Sequence, residues 1–281
     1  MGEATSARRR RVGAQLRHWR VREGLTLQDV ADRLEVSLAT ASRWETGRTK
    51  LSLDVYSRLA DLYRVGDDRR YFEGLCRDAD DAGWWASYSD VISHGVRDFM
   101  ELEAQASREF VFCTMTVPGL LQTADYRRAV VLARGAPDDM PRKADLVADM
   151  NSARQALLTR LSEPFELHAV IQEAVLLQEF EEQPEIMRDQ LRRLKELSGR
   201  GNVVLQIVPL RKSVHAGANG DFTILVYDGG GATVYNELLA SSVMTHDPEE
   251  VDAYRAAMKA LVEDVALPVD ESLRLLRKLA R

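Results

Sequence analysis

Two short helices and the turn between them are encoded by residues 25–52, LTLQDVADRLEVSLATASRWETGRTKLS. Thr26, with Asp29 three positions later, predicts the start of the first helix, because each side chain can bond the backbone amide of the other residue. Ser37 predicts a second start, and Gly47 predicts where that second helix ends. Helices of about eight and nine residues joined by so short a turn are typical of a helix-turn-helix.

A further helix is predicted on each side of this pair. Upstream, three large apolar side chains recur at helical spacing: Val12, Leu16 and Trp19. Gly24 can end that helix in the left-handed conformation. Downstream, residues 53–63 follow Ser52, a good N-cap residue. We therefore expect an all-α helix-turn-helix domain over residues 1–70.

The charge of the chain is unevenly distributed. Residues 1–70 carry 15 Arg and Lys against 10 Asp and Glu, a net charge of +5. The remaining residues carry 23 against 34, a net charge of −11. A basic head on an acidic body favours a polyanionic partner at the head.

The helical stretch resembles the Xre (lambda-repressor-like) helix-turn-helix family over most of residues 1–70. The resemblance implies that the partner is double-stranded DNA and that the third helix enters the major groove. Two positions depart from the family pattern: Ala41 stands where Ile or Val is usual, and Ser52 stands near the usual Pro. Because one small head buries little surface on DNA, we expect a homodimer that reads two half-sites about 34 Å apart.

The exposed side of the third helix supplies the candidate base contacts. Arg43 is its one long donor and suits a guanine edge or a phosphate. Thr40 can contact a thymine methyl group or donate a hydrogen bond. Leu38 and Ala39 can contact only thymine methyl groups, so direct readout of sequence is expected to be modest.

Phosphate contacts are predicted beside this helix, from Gln28, as in the family, and from Arg48 and Lys50. The complete predicted DNA-binding set is Gln28, Ser37, Leu38, Ala39, Thr40, Arg43, Arg48 and Lys50. Residues 8–11, all arginine, could follow the phosphate backbone, reach a minor groove as an arm, or lie in solvent.

The chain has 281 residues, the length of about two domains, and residues 98–281 predict an α+β domain. Apolar or alternating segments indicate strands at 165–172, 202–208, 222–227 and 233–236, the last two as a hairpin. The short apolar segment 110–117 could be a strand or an extended entry into the domain. Helices are predicted at 98–110, 121–132, 140–161, 185–198, 248–265 and from 268 onward. This order indicates a mixed sheet packed by helices, with a parallel first crossover. Residues 71–97, with a helix at 71–82, are interpreted as a helical linker.

Several segments of this second domain carry a further resemblance: E-x-x-A from Glu101, VPGLLQT at 117–123, RQ at 154–155, QLRRLKEL at 190–197 and VVLQIVPL at 203–210. They resemble the domain that follows an Xre head in many actinobacterial proteins, including developmental regulators of the WhiJ type. The preference for Arg, with only six Lys among 38 basic residues, fits the GC-rich genome that this implies. The resemblance also implies a possible partner, a small acidic protein encoded by a neighbouring gene, but no catalytic residue.

The sequence gives no support for an enzyme, a metal-binding protein or a membrane protein. None of the common catalytic or metal-binding motifs occurs, and no histidine pairs with another His or Cys at helical spacing. We therefore predict no enzyme activity, no catalytic residue, no cofactor and no metal. No apolar run reaches the ~18 residues of a membrane span, and no secretory signal is visible. Cys76 and Cys113 fit a reducing compartment, so a cytoplasmic, nucleoid-associated protein is expected.

Three functions remain open from the sequence. The first is a sequence-specific transcription regulator whose C-terminal domain responds to a partner protein or ligand. The second is an antitoxin-like module that binds a protein and uses DNA contact for autoregulation. The third, an enzyme with a DNA-binding appendage, has no motif behind it. A mixed sheet covered by helices can also house a small-molecule pocket, but no polar cluster in the sequence identifies a ligand.

Overall fold

The structure is a computed structural model, and it describes residues 7–66, 69, 73, 76, 84–88, 90–133, 140–160, 164–212, 214–228, 230–239 and 241–280. The predicted helix at 71–82 lies outside the described residues except for Glu73 and Cys76. Both of these residues are helical, and Cys76 is buried against the helices that precede it.

Within residues 7–66, the N-terminal unit contains four helices: α1 (Ala7–Arg22), α2 (Leu27–Leu34), α3 (Leu38–Glu45) and α4 (Leu53–Leu62). The predicted all-α helix-turn-helix is confirmed. Its core contains the expected apolar face of α1 and the inner faces of the other helices: Val12, Leu16, Trp19, Val30, Ala31, Leu34, Ala41, Trp44, Tyr56 and Leu59. Ala41 is buried, so its small side chain is accommodated by close packing beneath α3.

The predicted helix starts are confirmed by their caps. The hydroxyl of Thr26 accepts a hydrogen bond from the amide of Asp29 at 3.1 Å, and the carboxylate of Asp29 accepts one from the amide of Thr26 at 2.7 Å. Ser37 and Ser52 cap α3 and α4 in the same way, through their hydroxyl groups. Glu35 adopts a left-handed φ of 58°, which gives the turn between α2 and α3 its sharp bend.

Two glycines allow α1 to approach the end of α3. A Cβ atom on Gly13 would lie 2.5 Å from the carbonyl oxygen of Glu45 and 2.6 Å from that of Trp44. A Cβ atom on Gly47, which has a φ of 68°, would lie 2.7 Å from the backbone of Arg9 and Arg10. The orientation of α3 on α1 is therefore set by backbone contacts that no side chain can replace.

Replacing Gly13 with alanine is expected to lower the free energy of unfolding by about 1–3 kcal/mol, because backbone must move to admit the methyl group. On an exposed helix surface, replacing glycine with alanine would instead stabilise the protein by about 1 kcal/mol. The sign of the change in stability therefore shows whether Gly13 is packed against α3. Chemical denaturation measures the difference, with Gly66→Ala as control because nothing lies within 4 Å of a Cβ atom there. A gain in stability for Gly13→Ala would contradict the packing of α1 on α3.

The C-terminal domain contains a six-stranded mixed sheet. Its strands are β1 (Arg108–Cys113), β2 (Glu166–Gln172), β3 (Val203–Val208), β4 (Phe222–Val226), β5 (Ala232–Glu237) and β6 (Ser242–Thr245). The order across the sheet is β3-β2-β1-β4-β5-β6, parallel among the first three and antiparallel from β1 to β6. The predicted α+β class, the hairpin and the parallel pair β2–β3 are confirmed.

Helices cover both faces of this sheet. They are α5 (His94–Glu103), α6 (Ala124–Leu132), α7 (Met140–Arg154), α8 (Glu173–Leu176), α9 (Glu185–Leu197), α10 (Pro248–Ala260) and α11 (Val269–Leu279). Side chains of α5, α6, α7, α9 and α11 pack on the larger core with one face of the strands. Side chains of α10 and the π-helical turn after it cover the other face, through Val251, Met258 and Leu261.

The sequence prediction was wrong in three places. The helix expected at 98–110 begins earlier, at His94, and ends at Glu103, because residues 108–110 pair with β2 and β4. The helix expected at 140–161 ends at Arg154 and continues as a 3-10 turn. Strand β6 and the short helix α8 were not predicted at all, since neither carries a long apolar pattern.

Candidate nucleic-acid interface and the centre of the C-terminal domain

Helix α3 has one buried face and one exposed face. Ala41 and Trp44 point into the helical core, whereas Leu38, Ala39 and Arg43 lie on the surface. Leu38 is unusual for a surface residue, because 49% of this large apolar side chain is exposed. The contact of Leu38 with a thymine methyl group stays a prediction.

A line of hydrogen bonds runs along the exposed face of α3. The hydroxyl groups of Ser37 and Thr40 are 2.8 Å apart, and a guanidinium nitrogen of Arg43 donates to the hydroxyl of Thr40 at 3.2 Å. Three residues of the predicted DNA-binding set, Ser37, Thr40 and Arg43, are thus brought together along one side of the helix. The bond to Thr40 holds Arg43 along the helix surface.

The predicted phosphate contacts also lie on the surface. Gln28, at the start of α2, is exposed and donates to the carboxylate of Asp32 at 2.7 Å. Arg48 and Lys50 are exposed in the segment that follows α3. These three residues flank α3 in the chain, and their contact with DNA stays a prediction.

A buried ion pair that the sequence did not indicate orients α3. The guanidinium of Arg20 makes two bonds to the carboxylate of Glu45, at 2.6 and 3.0 Å, and a third to the carbonyl oxygen of Leu25 at 2.8 Å. The bond to Glu45 raises the pKa of Arg20 above its ordinary value despite burial. One side chain therefore ties α1, the turn before α2 and the end of α3 together.

The arginines at the start of α1 contact the C-terminal domain. Arg10 forms an ion pair with Asp98 of α5 at 2.5 Å. Arg11 is 4% exposed, lies 3.2 Å from the ring centre of Tyr227, and donates to Gln105 at 3.2 Å. Arg10 and Arg11 therefore contact the C-terminal domain. The interpretation of this segment as an arm or a solvated run is wrong for the buried Arg11.

His246 lies at the same interface. A cavity of about 270 Å³ separates α1 from the β4–β5 turn and the start of α10, and Arg11 and His246 are among its lining residues. Burial lowers the pKa of His246 to about 4, helped by the positive charges of Arg11 and Arg10. The neutral ring lies 2.8 Å from the hydroxyl of Thr233, within hydrogen-bonding distance.

The protein is expected to lose stability as the pH falls from about 6.5 towards 4, because the unfolded chain protonates His246 in that range and the folded chain does not. His246→Gln should flatten this part of the curve. Thermal unfolding of both proteins between pH 7 and pH 4 measures the difference, with the exposed His94→Gln as control. Parallel curves for His246→Gln and the unaltered protein would contradict the neutral, buried state.

The segment 117–123, VPGLLQT, forms the loop between β1 and α6, and other elements bind its backbone. Asn151 of α7 donates to the carbonyl oxygen of Gly119 at 2.8 Å, and Gln155 donates to that of Gln122 at 2.5 Å. Gln190 of α9 donates to Leu121 at 2.8 Å and accepts from the amide of Thr123 at 2.7 Å. Three separated segments of the sequence resemblance thus meet in one place.

A buried charge cluster lies beside this loop. Arg154 makes two bonds to the carboxylate of Glu103, at 2.9 and 2.5 Å, and both side chains are almost fully buried. Burial alone would lower the pKa of Arg154, but Glu103, with Glu109 and Glu237, raises it above its ordinary value. Glu109 of β1 adjoins the pair; burial raises its pKa, and the charge of Glu103 raises it further. The cluster therefore contains one ion pair and one carboxyl group that favours its neutral form.

Comparison with family models finds a match for each of the two domains. Residues 11–71 match a helix-turn-helix domain, which indicates DNA binding. Residues 96–278 match a domain of unknown function, DUF5753, and these residues make up more than half of the chain. The chain belongs to the DUF5753 family. A search of curated proteins found no match, and neither did a search of solved structures.

The DUF5753 domain contains the loop 117–123, the buried charge cluster and the sheet described above. Among the described residues, no group of three His, Cys, Asp or Glu side chains is placed to hold a metal ion. In the same part of the chain, no helix is both long and apolar enough to cross a membrane.

Sequence reasoning missed Glu103 and Glu109 as members of the buried cluster. The sequence did contain a signal for Glu109. It lies on the same face of a strand as Val111 and Cys113, and both of these residues are apolar. A charged residue at such a position is rarely buried without a partner. The partner, Arg154, follows 45 positions later in the chain, and only the fold brings the two side chains together.

Proposed function

We propose that this protein is a sequence-specific DNA-binding transcription regulator of the Xre type, with α3 as recognition helix. The observation that carries the proposal is the exposed face of α3, where Ser37, Thr40 and Arg43 form one hydrogen-bonded line beside the exposed Leu38. Its N-terminal residues would read base edges in the major groove. Gln28, Arg48 and Lys50 would neutralise phosphates on either side.

Binding as a homodimer belongs to the same proposal. A single helix-turn-helix of this size buries little surface on DNA, and two copies would bind half-sites about 34 Å apart. The predicted operator is therefore a palindrome. Residues 1–70 carry a net charge of +5, which favours attraction to the negatively charged duplex.

A selection of fragmented genomic DNA on the purified full-length protein, near physiological salt, tests this function. The expected result is recovery of a shared palindrome that is lost with Arg43→Ala. Recovery that is independent of sequence, equal for both proteins and steeply reduced by salt, would mean that the basic head is merely attracted to phosphate. The DNA-reading role of α3 would then be abandoned.

A second candidate is an antitoxin-like module that binds a protein partner, such as a small acidic protein from a neighbouring gene, and uses DNA contact for autoregulation. Exposed apolar side chains where β5 turns into the edge strand β6 favour it: Leu238, Leu239 and Val243. Leu239 is 90% exposed, so a partner that covered it would remove a large apolar side chain from water. Co-purification with the neighbouring gene's product, lost with Leu239→Asp but kept with Arg43→Ala, would support this role.

A further inference from the structure

A groove on the surface of the C-terminal domain lies between α6 and the segment that leads into α9. Its volume is about 470 Å³, within the size range of binding clefts. Residues 180–183 and Ile186, the second residue of α9, form one side. The other side consists of residues at helical spacing on α6: Asp125, Arg128, Ala129 and Leu132.

Contacts of Tyr126, a buried residue of α6, hold the two sides of the groove together. Its hydroxyl group donates to the side-chain oxygen of Gln178 at 2.7 Å, and its ring makes an edge contact with Phe180, with 5.7 Å between ring centres. After Phe180 the backbone turns, and a hydrogen bond of 2.9 Å to the carbonyl oxygen of Phe180 closes the turn. Glu181 and Glu182 occupy the two central positions of this turn, and both are exposed.

The lining of the groove includes four apolar side chains, which are Ala129, Leu132, Phe180 and Ile186. Ile186 is buried, whereas 42% of the large side chain of Leu132 is exposed. An apolar side chain that entered the groove would cover Leu132 and would itself leave water. The groove therefore suits a partner that presents apolar side chains.

The charges of the groove favour a cationic partner. Its lining contains three carboxylates, Asp125, Glu181 and Glu182, and one cation, Arg128. Arg128 is already bound by Asp125 at 2.5 Å and by Asp145 of α7 at 2.6 Å. In the part of the chain that the structure describes, Glu181 and Glu182 form no ion pair. Four carboxylates against one guanidinium leave a net charge of −3 at the groove, and this charge complements a basic surface.

We propose that this groove binds a partner protein through a segment in which apolar side chains are flanked by Arg or Lys. The apolar side chains would pack against Leu132 and Phe180. The flanking cations would pair with Glu181 and Glu182 on one side and with Asp125 on the other. The groove shares no residue with α3 or with the exposed apolar side chains beside β6, so the inference is independent of both functions proposed above.

Calorimetric titration of the full-length protein with three six-residue peptides, near physiological salt, tests the site. The first peptide has two leucines between two pairs of arginines. The second has glutamates in place of the arginines, and the third has serines in place of the leucines. We expect the first peptide to bind at least about tenfold more tightly than either of the others, because only the first combines positive charge with apolar side chains.

Two pairs of variants locate the binding. Glu181→Gln combined with Glu182→Gln should weaken the first peptide by about 2- to 30-fold, the effect of losing two exposed ion pairs. Its matched control is Glu249→Gln combined with Glu250→Gln, two adjacent exposed glutamates of α10, which should change the affinity by less than about twofold. Leu132→Asn should weaken the peptide by at least about threefold. Leu210→Asn, at a similarly exposed leucine after β3, should leave the affinity unchanged.

Thermal unfolding shows whether each variant is folded, and we expect unchanged unfolding temperatures because every altered side chain is exposed. Equal binding of the three peptides would overturn the proposal, and so would equal losses for the two glutamate pairs or an absence of binding at about 1 mM. Conversion of a dimer to a monomer by Glu181→Gln with Glu182→Gln, measured by sedimentation, would show that a second copy of the chain occupies the groove. That result would overturn the proposal as well.

Discussion

Replacing Arg154 with methionine is expected to lower the free energy of unfolding by about 3–5 kcal/mol. Methionine fills much of the same space but leaves the carboxylate of Glu103 buried without its two hydrogen bonds from the guanidinium. Arg154 also contacts Asn151 at 3.2 Å, and Asn151 binds the backbone of Gly119. The loss of Arg154 therefore weakens the clamp on the loop as well as the ion pair. Denaturant titration followed by circular dichroism measures the effect.

An exposed ion pair in the same domain provides the control for Arg154→Met. Arg108 and Glu166 on the neighbouring strands β1 and β2 lie 2.7 Å apart, and about half of each side chain is exposed. Arg108→Met should cost less than about 1 kcal/mol, because water screens the pair. Adding Glu103→Gln to Arg154→Met should recover part of the loss, since the uncompensated charge is removed. If Arg154→Met costs no more than Arg108→Met, the buried cluster does not stabilise the domain.

Arg43→Ala is expected to weaken binding to the selected palindrome by about 1–3 kcal/mol, which is roughly 5- to 150-fold in affinity. If the guanidinium reads a guanine edge, the variant also accepts other bases at one position of each half-site. Folding should be retained, because Arg43 is exposed and, in the part of the chain that the structure describes, its side chain bonds only to Thr40. Fluorescence anisotropy with the palindrome and its single-base variants gives both the affinity and the preference.

Arg192→Ala is the matched control for this measurement. Arg192 is an exposed arginine of α9 that bonds Asp189 at 2.9 Å on the same helix. Its removal changes the net charge by the same amount as Arg43→Ala. It should leave the affinity almost unchanged. If Arg43→Ala binds with unchanged affinity and unchanged preference, Arg43 does not belong to the DNA-binding site.

The N-terminal domain could be predicted from the sequence because its signals are local. Thr26, Ser37 and Ser52 cap helices through residues three positions away, so a short window contains both partners. The apolar faces repeat at helical spacing within single helices. What could not be predicted is how α1 is fixed on α3, because the pair Arg20 and Glu45 is separated by 25 positions.

In the C-terminal domain, too, the elements that depend on neighbouring residues could be predicted, and those that depend on distant segments could not. Strands β4 and β5 were predicted because a glycine-rich turn joins them directly. Strand β6 is only four residues long, lies at the sheet edge and has no buried face, so its pattern is weak. The start of β1 was assigned to a helix because Phe99, Leu102 and Ala106 continue a helical spacing, which pairing with β2 and β4 overrides.

The candidate sites divide in the same way. The exposed face of α3 could be predicted because an amphipathic helix leaves its polar side exposed, and the structure places Ser37, Thr40 and Arg43 side by side there. That these residues bind DNA stays a prediction. The buried cluster of Glu103, Glu109 and Arg154 was not predicted, because its members are far apart in the chain and only the fold brings them together.

The central claim is that this protein reads DNA sequence through α3, and the ratio of two dissociation constants tests it most directly. The constants are those for the selected palindrome and for a scrambled duplex of equal length and composition, both at physiological salt. We predict that the palindrome binds at least about 10³-fold more tightly. A ratio near one, with both affinities falling steeply and equally as salt rises, would show that the protein binds phosphate without reading sequence.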